Sequence, residues 1–199
     1  MLSYYLLGDK MEKEKREQAD RIIKNFLKDN YIKETTLPVD IFEMATNLGF
    51  DVRGAFFEDN IDGIMIADET VSVIEGFESN KIIVYNNLRT LEEIRFIVAH
   101  ELSHYIKKYS EEKESGSHRI FMAAARDHSD RGYSDNSDEQ FIDYMAAVLL
   151  VPTNSLKEKY ASYVKTKTNR EFSKLAFSVS EEYQVEIKLA RRRLEEVFC

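Results

Sequence analysis

Cysteine is almost missing from these 199 residues: the single one, Cys199, is the last. That excludes an intramolecular disulfide framework and a thiolate-rich metal centre, so any bound ion must rely on nitrogen and oxygen ligands. Positive charge is also short, with 28 Lys and Arg against 36 Asp and Glu and a formal net charge of −8. A protein that grips nucleic acid over a wide face needs a basic footprint, so direct DNA binding is not expected, although a local basic patch is compatible with this balance. Long apolar runs are lacking too. The opening "MLSYYLLGDK" has no positive charge before its apolar run, which is too short for a secretory segment or a membrane span. A cytoplasmic protein with no membrane partner is the expectation. The hydrophobic share of 43% and the charged share of 32% are ordinary for a folded chain, and the length suits one substantial core with at most a small appendage.

Helical periodicity marks both ends of the chain. Residues 11–30, "MEKEKREQADRIIKNFLKDN", place Ala19, Ile22, Ile23, Phe26 and Leu27 on one stripe of an amphipathic helix. "LPVDIFEMATNLGF" predicts a second helix of about three turns, with Pro38 near its start and Gly49 at its end. Between Asp51 and Asn86 the runs "GFDVRGAFF", "IDGIMIAD", "TVSVIEGF" and "KIIVYNN" predict three or four mostly antiparallel strands. "RTLEEIRFIVAHELSHYIKKY" then opens with Thr90 and Glu93 in capping-box spacing and predicts a buried helix of about five turns. Residues 107–136 are polar around a short apolar island, "IFMAAA", and predict a mobile insertion holding one or two helical turns. "SDEQFIDYMAAVLLVP" restores a core helix, ended by Pro152, and the tail predicts two helices joined by a turn near 183–185, helix-turn-helix in shape.

The residues that carry chemistry lie in the buried helix. His100 and His104 are four apart, hence about 40° from each other on one helical face, and both imidazoles can reach one ion. Glu101 flanks that face, where a carboxylate can address a metal-bound water without ligating the metal. A hydrolytic site needs one further protein ligand and an open position. Glu139 is the candidate, because it falls in the first turn of the next core helix, where the dipole favours a carboxylate, with Asp143 one turn on. Asp143 can then accept a hydrogen bond from a ligand imidazole and fix its tautomer. Asp138 is the competing ligand, but Ile142 and Met145 share its face. In the polar insertion, His118 and His128 read as exposed loop histidines; His128 and Tyr133 are nevertheless the available groups that could swing in as oxyanion donors. Arg191, Arg192 and Arg193 read as complementing the dipole of the last helix.

Three segments, "LPVDIFEMATNLGFDV", "RFIVAHELSHYI" and "EQFIDYMAAVLLVP", resemble the ImmA/IrrE family of bacterial metallopeptidases over about residues 37–152. The last of them is similar to the family's E-x-x-A-[ND]-x-F-A-x-x-L-L-x-P helix, which puts Glu139 at the third-ligand position and Asp143 at the Asp/Asn position; Ile142 and Met145 depart from it. "YQVEIKLARRRL" resembles the family's V-S-x-x-x-x-x-R-L ending, with Glu186 where serine would stand.

The resemblance implies an α+β fold with a zincin-like helical core and a small sheet. It divides the chain into a metallopeptidase domain over 1–155 and a C-terminal helical extension over 156–199. The expected protein is a zinc-dependent endopeptidase. Zn2+ would be held by His100, His104 and Glu139, Glu101 would be the base, and the protein substrate would be a helix-turn-helix transcriptional repressor of mobile-element or stress genes. The competing reading is a non-catalytic regulator or toxin–antitoxin component that binds a repressor or DNA around a structural metal; Glu101 counts against it, because a structural site needs no base.

Overall fold

The structure is a computed structural model, and it describes residues 13–32, 37–57, 61–116, 120–127, 137–164 and 169–198. His118, His128 and Tyr133 lie outside the described residues. The elements run α1 (Lys13–Asp29), α2 (Ile41–Asn47), β1 (Asp51–Ala55), β2 (Ile61–Asp68), β3 (Lys81–Asn86), α3 (Leu91–Ser115), β4 (Phe121–Asp127), α4 (Ser137–Leu150), α5 (Thr153–Val164), α6 (Asn169–Tyr183) and α7 (Ile187–Phe198). This is an α+β arrangement. No helix among the described residues is long and apolar enough to cross a membrane.

The sheet has the order β1-β3-β2-β4. Two ladders are antiparallel, β2–β3 and β2–β4, while β1 joins β3 in parallel, so the sheet is mixed. Its inner face, with Met65, Ala67 and Ile83 fully buried, packs on α3, and the other side of α3 packs on α1 and α4. α3 therefore lies between two layers, and that position explains why its middle is apolar around most of its circumference.

Several expectations are corrected. "TVSVIEGF" is not a strand: after Asp68 the chain turns, because Asp68 Oδ1 accepts from both the backbone N–H and the hydroxyl of Thr70, which leaves Val71 and Val73 exposed. The island "IFMAAA" is not helical. Phe121–Asp127 forms β4, paired along β2 from Ile61 to Asp68, so an available strand edge overrides the helix preference of three alanines. α3 is also longer than five turns: its 25 residues absorb "KKYSEEKES" and end at Gly116, whose φ of 77° is the left-handed cap that glycine adopts without strain. The Thr90–Glu93 capping box is present as expected. α2, by contrast, is only 7 residues long and starts after Asp40, whose side chain caps the N–H of Glu43, rather than at Pro38.

The C-terminal helices share the same hydrophobic core as the rest, through Leu175, Val179, Tyr183, Val185, Ala190 and Leu194. Arg193 is fully buried and donates to the carbonyl of Val151, to Thr153 Oγ1 and to Glu196, so it ties α7 to the end of α4 and does not face solvent as a dipole complement. α5, which follows Pro152 directly, carries no strong pattern in the sequence; it reaches the core through Leu156, with Tyr160 packed against it.

Candidate metal centre

α3 brings His100 and His104 to one face because they are separated by one turn. Their Nε2 atoms lie 3.2 Å apart. α4 packs along that face and delivers Glu139 from its first turn: Oε2 is 3.3 Å from His100 Nε2 and 3.7 Å from His104 Nε2. One nitrogen from each histidine and one oxygen from Glu139 all lie within 4.8 Å of one another. A four-coordinate ion bound at about 2.0–2.1 Å has ligand atoms about 3.3–3.4 Å apart, so edges of 3.2, 3.3 and 3.7 Å match one face of such a tetrahedron. The three donors fit a metal ion, and among the described residues no further His, Cys, Asp or Glu joins them, so a fourth vertex is open to another ligand.

The tautomer is set from α4. His100 Nδ1 lies 2.8 Å from Asp143 Oδ1, and because an ionised carboxylate only accepts, Nδ1 carries the proton and donates, leaving the Nε2 lone pair facing Glu139 and His104. Asp143 is buried, the one carboxylate in the stretch Phe141–Leu150 in which every residue is buried. It is therefore not a solvated first-turn acid; its partner is the imidazole. Where the facing ring nitrogens of His100 and then His104 carry a proton, they donate to Glu139 and hold its carboxyl well below the ordinary carboxylate range; a bound metal would take the place of those protons.

Glu101 is fully buried. β2 approaches it through Gly63, where a side-chain carbon would sit 3.3 Å from Glu101 Oε1 and 2.5 Å from Ile97 Cγ2. Glycine is needed for that approach. Gly63 was not anticipated as a functional position, although an isolated glycine inside the strand pattern "IDGIMIAD" is a signal of close backbone approach. The start of β2 is pinned beside it by an ion pair from the half-buried Arg89 Nε to the buried Asp62 Oδ1 at 2.6 Å.

The structure thus brings together His100, Glu101, His104, Glu139 and Asp143. Asp138 stays apart from the ligand group, 77% exposed and 3.9 Å from Lys107 Nζ. Residues 62–195 match the Peptidase_M78 family, described as the IrrE N-terminal-like domain. The chain belongs to this family. The matched span begins in β2 and ends in α7, so it contains all five of these residues, and membership makes the chain a metallopeptidase acting on a protein substrate. No curated protein matches the chain.

Proposed function

We propose that this M78 peptidase is a zinc endopeptidase of zincin-like core, with His100, His104 and Glu139 as the metal ligands, Asp143 as the group that orients His100, and Glu101 as general base. The observation that carries this reading is the His100–His104–Glu139 triangle of tetrahedral dimensions, with a carboxylate buried next to the first histidine. A bound zinc ion would polarise the scissile carbonyl and lower the pKa of a coordinated water to about 7.

The protein's own part is proton traffic and positioning. Glu101 takes the proton of the attacking water and passes it to the leaving amine nitrogen. Asp143 keeps the proton of His100 on Nδ1 throughout, so Nε2 remains a donor of electrons. β4 is the outer strand of the sheet among the described residues, and its Arg126 pairs with the Gly63 that touches Glu101. An extended substrate segment could add to that edge, on the far side of β4 from the β2 residue that abuts Glu101.

A helix-turn-helix repressor as substrate rests on the family resemblance; His128 or Tyr133 as oxyanion donors, a cytoplasmic location, and 156–199 as a helix-turn-helix-like extension of a domain over 1–155 rest on the sequence pattern. Replacing Glu101 by Gln tests the core of the reading. Metal content measured by mass spectrometry should be unchanged, while new peptide termini generated in a proteome mixed with the wild-type protein should vanish with the variant. Retained cleavage by Glu101→Gln would remove Glu101 from the mechanism.

A further inference from the structure

Nine large hydrophobic side chains are exposed among the described residues, and three of them line one groove: Leu91 at the start of α3, Phe177 on α6 and Ile187 at the start of α7. The groove holds about 590 Å³. Single exposed apolar side chains are ordinary, but several converging on one concavity mark a binding surface. Around them stand three carboxylates, Glu92, Glu181 and Glu186, against the single ammonium of Lys188.

The floor is rigid. Arg95, buried in α3, donates Nη2 to the carbonyls of Val39 at 2.9 Å and Tyr183 at 3.3 Å, and Nε to the carbonyl of Gln184 at 3.0 Å. These bonds fasten the α6–α7 turn to the helix that carries the metal ligands. Tyr183 and Val185 are buried beneath it, and Gln184 is held at a φ of 50°. A surface fixed in this way gives up little conformational entropy when something binds.

We propose that this groove docks an amphipathic helix of a partner protein, one whose apolar face is flanked by lysine or arginine. Three apolar contacts around a groove suit the helix-in-groove mode, in which residues at i, i+3 or i+4 and i+7 serve as anchors. The excess of carboxylates selects a cationic rim and repels nucleic acid, which sets the helix pair apart from a DNA-reading one. The groove is separate from the metal centre: the nine helical steps from Leu91 to His100 span about 14 Å. The inference therefore stands whether or not the zinc reading holds.

The test uses the full chain and a dye-labelled amphipathic peptide of about 18 residues, leucine on one helical face and lysine on the other, about five turns long. Binding is followed by fluorescence anisotropy, with circular dichroism to verify that each variant is folded. Phe177→Ser and the double change Glu181→Lys with Glu186→Lys should each weaken binding at least about tenfold, a loss of about 1.4 kcal/mol. The distant double change Glu111→Lys with Glu114→Lys, which alters net charge equally, should change it less than about threefold. Equal losses from both charge reversals would reduce the effect to net charge and overturn the proposal. So would tight binding of the same peptide with glutamate for lysine, or wild-type affinity in Phe177→Ser. Self-association of the wild-type chain that Phe177→Ser abolishes would give the groove to a second copy instead.

Discussion

Replacing Gly63 by Ala should damage catalysis more than it damages the fold, and should leave the metal in place. The added methyl would lie 2.5 Å from Ile97 Cγ2, far inside van der Waals contact, and 3.3 Å from Glu101 Oε1. Ile97 is almost fully buried, so it cannot swing out to solvent; β2 and α3 must separate or Ile97 must leave its rotamer. Overpacking of this kind costs about 1–3 kcal/mol, or about 2–12 °C in Tm for a chain of this size. Any separation of β2 from α3 also moves the wall against which Glu101 is held. Displacing a catalytic group by about 1 Å can cost about 10²-fold in rate, so kcat should fall by one to two orders of magnitude, about 1.4–2.7 kcal/mol of barrier. The metal should stay, since its ligands face α4 and not β2. Calorimetry, metal analysis and cleavage kinetics on the same preparations separate these effects. Adding Ile97→Ala removes the clashing methyl, so the double variant should recover part of the lost rate even though Ile97→Ala alone destabilises the core. Unchanged kcat in Gly63→Ala, or loss of metal with an intact fold, would refute the idea that this strand seats the base.

Asp143→Asn should keep a hydrogen-bonding side chain beside His100 but lose the carboxylate that fixes its tautomer; metal affinity measured by competition with a chelator should fall about 10–100-fold, and unaltered affinity would assign Asp143 to packing alone. Burial raises the pKa of Asp20 despite Arg193 and the hydroxyl of Tyr144 nearby. A carboxyl whose folded-state pKa is raised contributes stability below its unfolded value of 3.8 and loses that contribution as pH rises through the folded value. Asp20→Asn should therefore gain Tm relative to wild type on going from pH 3 to pH 7, and a gap that is flat or shrinks over that range would reverse the sign of this argument.

The candidate ligand group that the structure brings together was legible because helical geometry is local. A spacing of four puts His100 and His104 on one face wherever the helix sits, and the same spacing relates Glu139 to Asp143. Burial of the two helices was legible as well, from apolar residues around most of their circumference. What failed depended on partners distant in the chain. "FMAAA" becomes a strand only because β2 offers it an edge, and nothing in three alanines encodes that. "TVSVIEGF" has strand-like residues but lacks a strand neighbour, since Asp68 turns the chain away at its start. Gly63 left a visible mark, an isolated glycine inside the strand pattern "IDGIMIAD", yet the group it admits lies 38 positions later, and only the packing of β2 on α3 joins the two.

α3, about 37 Å long at 25 residues, is gripped at both ends. Near its start Arg95 binds it to the approach to α2 and to the α6–α7 turn, and near its end Lys113 pairs with Asp29 of α1. His100 and His104 sit between these clamps and move as one body, a fixed jaw. Glu139, partly exposed at the beginning of a different helix, is the movable one. Ions of different radius should thus be accommodated by the carboxylate, with the imidazole pair unmoved, and tolerance for one metal over another becomes a property of the first turn of α4.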